Sequence, residues 1–475
     1  MIKIETTEDR GRIVVATTNL DPAVAGIEVL SEDALVIFPP SGSSKDCAPC
    51  LPIGFPRNLS VKLWSDYWHY MSQSKETKAK ILDFYVEMDC TLANDIRAGI
   101  MPFARYENLD VEEFVLVNMV INFNAVTLNP VAADGSGPGT NFGSGLFETA
   151  CRLSHSCKPN CCWFSSLDGS KKIVRAITPI QTGEELTIHY PDDKELLAPM
   201  YSRRKSLRQS KFFYCRCKRC KSNYDDTRQF KCASKKCLGV HFVRQVEEED
   251  EPVVIACTIC SNEATDDFAM SLLKQERELK SEIESIEYIV DHGLPIDVTG
   301  RIKRLRPFHP FHYLSELCYR IQGELYMQIG EFRAATKANA SMIACSDGIL
   351  GKDYPLSFLA FACERLGDSV QNVDLGKAEK IYQRSVRVLQ IVYGFSHPYS
   401  KAAMNKLLSV QRRLRNVSDK KSDLCALCGA VSAKKCSRCG RVVYCSTDHQ
   451  MIHWKKVHKK QCKPKAQITQ CTVSH

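Results

Sequence analysis

Cysteine is the residue whose number and spacing most suggest chemistry in this 475-residue chain, which holds 24 of them. Many stand one or two residues from a partner, as in Cys215-x-Cys217-x2-Cys220, Cys257-x2-Cys260, Cys425-x2-Cys428 and Cys436-x2-Cys439. Two thiolates on one tight turn can reach a single ion at about 2.3 Å, which suits tetrahedral zinc. The opening residues MIKIETTEDRGR contain no apolar signal core, so metal-bound thiols are expected rather than the disulfides of a secreted domain. Cys47-x2-Cys50 has no second pair nearby and stays unassigned.

Three other segments carry side chains suited to catalysis: RLSHSCKPNC (Arg152 to Cys161), GEELTIHY (Gly183 to Tyr190) and YCRCKRC (Tyr214 to Cys220). Taken singly they are weak signals. A tyrosine ending a β-rich run is more often a core residue than a catalytic one, and a lone histidine is more often merely satisfied. In this order and spacing, however, they resemble the SET domain of the SET and MYND family of protein lysine methyltransferases. The resemblance reaches back to Arg10-Gly11-Arg12 and to Asn124-Ala125-Val126-Thr127-Leu128. It runs forward through RRKSLRQ (Arg203 to Gln209) into the C-terminal half. It implies that the chain at Ser154-His155 threads through a loop as a pseudoknot beside S-adenosylmethionine. By the same resemblance Arg12, Asn124 and Phe213 are further cofactor contacts and Tyr190 is catalytic. Cys157, Cys215, Cys217 and Cys220 would hold the post-SET zinc.

That chemistry explains the residue types. A lysine amine must be neutral to displace a methyl group in line, yet its reference pKa is about 10.4. The site has to strip water from the ammonium and align the nitrogen lone pair with the methyl carbon. A tyrosine hydroxyl and backbone carbonyls can orient the amine without being consumed, and zinc would be architectural. The chain departs from the family pattern at Ser154, where Asn is usual, and at Ile13, where Gly is usual. The shorter hydroxyl spans less than an amide, and Ile13 is expected to push the cofactor away. These two departures favour a second reading, a non-catalytic adaptor that keeps the SET fold and binds regulatory proteins. A zinc-finger DNA-binding factor is a weaker third reading.

Residues 425–462 are similar to the MYND zinc finger, an interleaved two-zinc fold. The resemblance assigns Cys425, Cys428, Cys445 and His449 to one ion and Cys436, Cys439, His458 and Cys462 to the other. Position 449 is commonly Cys in the family, and imidazole is an equally good ligand. His453 is expected beside the ligands or at the surface, and Trp454 in the small core. MYND fingers usually bind proline-rich peptides of partner proteins, and here the finger follows the helical region instead of interrupting the SET strands. Cys232, Cys237, Cys257 and Cys260 resemble a small zinc ribbon found in some relatives, with reduced, partly buried thiols as the competing view.

The elements that must position these groups read as α+β. Strands are expected over Arg12 to Thr17, Ile27 to Phe38, Lys172 to Ala176 and Glu185 to His189,. A helix is expected from Lys62 to Met88 and a flexible Gly/Ser loop from Asp134 to Gly145. From Asp266 the apolar residues recur at helical spacing, with Asp266 or Asp267 as cap and an end near His292-Gly293. Helix pairs broken at Gly330 and Gly367, and a stripe from Ala378 to Tyr393 stopped at Gly394, suggest a tetratricopeptide-like stack. The domains expected are SET with post-SET (1–222), zinc ribbon (223–265), TPR-like helices (266–416) and MYND finger (425–462).

With 44% hydrophobic and 25% charged residues the composition is that of a soluble globular protein,. The most apolar run, Phe114 to Ala133, is interrupted by four asparagines and is not expected to span a membrane,. An intracellular location, nuclear or cytoplasmic, is expected. The formal charge of +9 is modest for this length. It permits an acidic partner, nucleic acid included, without requiring one. The acidic run Glu247 to Glu251 is expected to be a solvated loop.

Overall fold

The computed structural model describes residues 1–8, 10–22, 26–40, 51–129, 142–234, 236–291, 300–302, 305, 311–352, 354–421, 425–427 and 434–462. Cys47, Cys50, Cys428, the His292-Gly293 helix end and most of the Asp134 to Gly145 loop fall outside them.

The N-terminal part is built from small, mostly antiparallel sheets. Strands β1 (Ile2–Thr7) and β2 (Gly11–Ala16) form a hairpin whose second strand buries Ile13, Val14, Val15 and Ala16. The run expected as one strand from Ile27 to Phe38 divides into β3 (Ile27–Asp33) and β4 (Val36–Phe38), which enter different sheets. In one sheet β9 (Lys171–Ala176) lies between β3 and β8 (Cys161–Ser165); in another β6 (Ser144–Leu146) lies between β4 and β5 (Val126–Thr127). Gly145 therefore belongs to a strand, not to the expected loop. Finally β7 (Ser154–His155) and β10 (Thr187–Ile188) run parallel side by side. The longer strand expected from Glu185 to His189 shrinks to that pair, with Glu185 making a single bridge to Val15.

Between β4 and β5 the chain inserts four helices: α1 (Val61–Met71), α2 (Lys75–Leu82), α3 (Thr91–Glu107) and α4 (Val111–Asn124). The single helix expected from Lys62 to Met88 breaks at Ser72 because the Ser74 hydroxyl accepts from the Thr77 N–H at 3.1 Å and starts a new helix,. Helix α4 is buried over most of its surface, and the Asn118 amide nitrogen donates to the Phe114 carbonyl at 2.9 Å,. No described helix is long and apolar enough to cross a membrane.

Helix α5 (Met200–Lys211) leads into a three-stranded sheet of β11 (Asp225–Lys231), β12 (Val240–Arg244) and β13 (Val253–Val254). Then come α6 (Asp266–Asp291), α7 (Tyr313–Gln328), α8 (Phe332–Leu350), α9 (Ser357–Val370), α10 (Leu375–Tyr393) and α11 (Pro398–Lys421). The α6 cap is Thr265, whose hydroxyl accepts from the Phe268 N–H at 3.4 Å, while Asp266 and Asp267 occupy the first turn. Gly330, at φ +76°, separates α7 from α8 as expected. Gly367 does not break a helix. It lies inside α9, where a Cβ would stand 2.7 Å from the Tyr382 ring, so its role is close packing against α10.

The helical stack is joined to the β-rich part through a shared core. Ile177, Leu196 and Leu197 pack among the side chains of α8 to α11. Arg175 on β9 donates to the carbonyls of Ile391 (3.2 Å) and Gly26 (3.0 Å). Gly26 has φ +62°, and a Cβ there would lie 2.0 Å from the Ile391 oxygen. Only glycine fits this approach.

Candidate active site and metal centres

The parallel pairing of β7 with β10 brings His155 and Tyr190 together, although they are 35 residues apart. The pairing is pinned by Asn160. Its amide nitrogen donates to the Glu185 carbonyl at 2.8 Å, and its oxygen accepts from the Thr187 N–H at 2.8 Å. Without that side chain the two buried backbone groups would lose their partners.

A cavity of about 2000 Å³ opens beside this junction. Its wall includes Arg12, Asn124, Ser154, His155, Tyr190 and Phe213, so all six residues expected at the cofactor and catalytic positions face one space. Ile13 does not line it. The Ile13 side chain is 5% exposed and packs into the core, so the expectation that it pushes a cofactor away fails: strand alternation turns Arg12 toward the cavity and Ile13 from it.

The Tyr190 hydroxyl donates to the Leu153 carbonyl at 2.7 Å. Burial raises its pKa well above the ordinary tyrosine range, with Cys151 and Glu185 adding to the effect, so the group is a neutral phenol with lone pairs to offer. His155 accepts at Nδ1 from the Tyr190 N–H (3.2 Å), which leaves the proton on Nε2, 3.3 Å from the Cys157 sulfur. Burial pushes the His155 pKa down to about 4, and the ring stays neutral. The rings of His155, Tyr190 and Phe213 lie 5.3 to 6.2 Å apart as one aromatic wall. Phe213 reaches it because Phe212, ending α5, takes a left-handed conformation at φ +56°, a costly one for an aromatic residue.

Several cavity residues were not singled out from the sequence. Asp83, just after α2, takes both Arg12 and Arg152 as partners, the latter at 3.0 Å. Those arginines hold its carboxyl below the usual carboxylate range. Tyr354, from the link between α8 and α9, donates to the Pro159 carbonyl at 2.5 Å, so the helical stack supplies part of the wall. Asn160 and Arg152 stood in the quoted motif without a role. Nothing in the spacing around Asp83 or Tyr354 marks them.

Among the described residues, four groups of thiol and imidazole ligands gather. Cys157, Cys215, Cys217 and Cys220 place their sulfurs within 4.8 Å of one another, and so do Cys232, Cys237, Cys257 and Cys260. The ligand atoms of Cys436, Cys439, His458 and Cys462 form a third group, and those of Cys425, Cys445 and His449 a fourth, for which Cys428 lies outside the described residues. Four sulfurs at about 2.3 Å from one zinc are about 3.8 Å apart, whereas disulfide sulfurs sit at about 2.05 Å. The observed separations are 3.8 Å (Cys157–Cys215), 3.5 Å (Cys157–Cys220), 3.6 Å (Cys232–Cys260 and Cys237–Cys257) and 4.0 Å (Cys436–Cys462). These fit zinc and not disulfides.

The surroundings fit as well. N–H groups of Gly239 and Arg441 point at the sulfurs of Cys237 and Cys439, at 3.3 and 3.5 Å, as suits thiolates. A Cβ on Gly239 would lie 2.5 Å from the Cys257 sulfur. Arg203, 2% exposed, has electrostatic partners in Asp225, Cys157 and Cys220, a buried positive charge beside the first cluster. Arg219 ties that cluster to its surroundings through the carbonyls of Cys157 (3.0 Å) and Leu196 (2.6 Å). In the finger, His453 bonds the Tyr444 hydroxyl at 2.9 Å and is not in a ligand group, while Trp454 packs on the cysteine core.

Comparison with known proteins agrees with this geometry. A family model for the SET domain matches residues 11–191, and one for the MYND finger matches residues 425–462. The histone-lysine N-methyltransferase ASHR1 of Arabidopsis thaliana is 25% identical over 318 residues, covering 62% of this chain and 63% of the relative. The N-lysine methyltransferase SMYD2 of Gallus gallus is 25% identical over 316 residues, covering 65% and 63%. The histone-lysine N-methyltransferase SMYD3 of Homo sapiens is 40% identical over 84 residues, 18% of each chain. The chain thus spans at most 63% of the length of these relatives. A SET domain implies S-adenosylmethionine as cofactor, and the cysteine clusters are consistent with zinc. The chain carries a SET-domain match and a MYND-finger match, and the relatives it resembles are lysine methyltransferases.

Proposed function

We propose that this chain is a protein-lysine N-methyltransferase that moves a methyl group from S-adenosylmethionine to a lysine of a histone or another protein. The observation that carries the reading is the meeting of His155, Tyr190 and Phe213 on one wall of a single large cavity that Arg12, Asn124 and Ser154 also line. The bound cofactor supplies an electrophilic methyl group on a sulfonium. The residues of the chain do the rest.

Arg12, Asn124, Ser154, His155 and Phe213 hold the cofactor in this reading, with the neutral His155 and the aromatic faces excluding water around the sulfonium. Entry of the substrate side chain removes water from its ammonium, which depresses the lysine pKa and releases the proton to solvent. Tyr190, its own proton spent on Leu153, turns its lone pairs to the amine and the methyl carbon. Its raised pKa makes it an orienting group and not a proton acceptor,.

The four ligand groups act as scaffolds: Cys157, Cys215, Cys217 and Cys220 fasten the strap that bears Phe213 to the knot at Ser154-His155. Cys232, Cys237, Cys257 and Cys260 fasten the β11–β12 turn to the segment after β13. The MYND finger recruits partners through proline-rich peptides in a nuclear or cytoplasmic setting. The division into SET with post-SET (1–222), zinc ribbon (223–265), helical stack (266–416) and finger (425–462) belongs to this reading. The adaptor alternative loses one of its two supports, because Ile13 is not in the cavity wall.

The test is radiolabelled methyl transfer to lysate proteins by the zinc-loaded chain and by Tyr190→Phe. Loss of the hydroxyl should lower the rate about tenfold to a hundredfold, with cofactor binding and zinc content retained. Equal rates in the two proteins would remove Tyr190 from the mechanism.

A further inference from the structure

The charges around the cavity are unevenly used. Nine lysines and arginines line it against four carboxylates, and every carboxylate already has a partner. Asp83 is held by Arg12 and Arg152, Glu185 by Arg10, and Asp226 by Arg219 at 2.8 Å. Glu184 accepts from the Gln181 N–H at 3.0 Å. Lys211 is turned inward and donates to the Phe123 carbonyl at 2.7 Å. That leaves Lys158, Arg216, Lys218 and Lys221, all exposed, and among the described residues none of them has a carboxylate within ion-pair distance.

These four share one wall. Lys158 lies on the turn between β7 and β8, and the other three lie on the strap that carries Cys215, Cys217 and Cys220. The turn and the strap are fastened together by the Cys157 cluster and by the Arg219 bond to the Cys157 carbonyl. The Lys158 ammonium stands 6.0 Å from the ring of Tyr354, which itself bonds the neighbouring Pro159. Exposed Tyr214 and Tyr224 belong to the same strap and line the same cavity. Buried Arg203 faces the thiolates of the cluster from within, whereas the four cations line the cavity. The acidic run at Glu247 to Glu251 touches the strap at Tyr214, through Glu247, and not at the four cations. None of its residues lines the cavity, and Glu248 pairs with Lys205 at 2.5 Å.

We infer that this wall is a receptor for acidic protein segments, so that the substrate lysine is one flanked by aspartate or glutamate. The inference rests on the methyltransferase reading and adds the substrate class to it. Four uncompensated cations at the mouth of a cleft attract a carboxylate-rich chain and repel a basic one, which sets specificity as much as affinity. The tyrosine rings on the same strap give the peptide backbone and side-chain stems apolar surface to lie on. A phosphate backbone fits less well, because the segment must deliver a single amine to the cavity floor.

The test uses the full zinc-loaded chain and three labelled peptides of equal length, each with one central lysine flanked by glutamates, glutamines or lysines. Binding is read by fluorescence anisotropy and methyl transfer by kcat/KM with S-adenosylmethionine. The glutamate peptide should bind about tenfold more tightly than the glutamine peptide at low salt, and the margin should shrink as salt is raised. In the triple variant Lys158→Gln, Lys218→Gln, Lys221→Gln the margin should vanish, with zinc content unchanged as the check on folding. Glutamate binding that depends on these lysines, with no peptide methylated, supports the receptor and counts against the methyltransferase reading. Equal kcat/KM for the glutamate and glutamine peptides upholds the enzyme and overturns the receptor. A margin that survives in the triple variant, or a duplex or single-stranded oligonucleotide that displaces the glutamate peptide at tenfold lower concentration, overturns it too.

Discussion

Asn160 shows how much one side chain can carry. Its amide holds β10 against the turn leading to β8 through bonds to Glu185 and Thr187, and the meeting of His155 with Tyr190 depends on that register. Replacing Asn160 by Ala should lower stability by about 1–3 kcal/mol, since two buried backbone groups lose their partners. Denaturant unfolding of the zinc-loaded protein measures this, and an unchanged midpoint would show that the pairing holds without the pin. At this scale the sequence was legible where residue type and spacing dictate chemistry. The thiol sets, Cys428 apart, lie together among the described residues, and His155, Tyr190 and Phe213 line one cavity. Asp83 and Tyr354 were not legible, because an aspartate after a helix or a tyrosine in a link reaches the cavity only through tertiary packing. Ile13 was misread for a related reason: a departure from a family pattern says nothing about which way a strand side chain points.

Elements were read well where periodicity is strong and poorly where a short polar break decides. The stripe from Ala378 to Tyr393 became α10 with its end at Gly394. The Ser72 to Ser74 break and the two-sheet division of the Ile27 to Phe38 run depend on single caps and on partners distant in sequence. Gly367 misled because a glycine can mean either an end or a close approach, and only the Tyr382 ring tells which. The join between the β-rich part and the helices has its own signature in Asp193, in the short helical turn Asp193–Leu197. Burial pushes its carboxyl from 3.8 up to about 6, with Asp192 adding repulsion and a Ser357 hydrogen bond opposing. A carboxyl whose pKa is higher folded than unfolded keeps its proton longer in the folded chain, so stability is lost as pH rises from about 4 to about 6. Between about pH 4 and about pH 6 the wild type should therefore lose stability relative to Asp193→Asn. Taking the difference between the two proteins removes the pH dependence of metal binding that they share. Parallel stability curves would show that Asp193 ionises without penalty.

The whole molecule reads as a cleft assembled from parts that could not form it alone. The β-rich part supplies the knot, the cysteine strap supplies Phe213 and the cationic wall, and the helical stack supplies Tyr354. The α+β class and the order of modules were legible in the sequence, because each module bears its own local pattern. The docking of helices on strands was not, since it depends on Gly26, Arg175 and Ile177 meeting partners far along the chain. The central claim is that the assembled cavity holds S-adenosylmethionine beside Tyr190. Calorimetric titration of the folded, zinc-loaded chain with S-adenosylmethionine tests it most directly. The account predicts one saturable site per chain that is lost or strongly weakened in His155→Ala at unchanged zinc content, and a wild-type protein with no binding heat would contradict it.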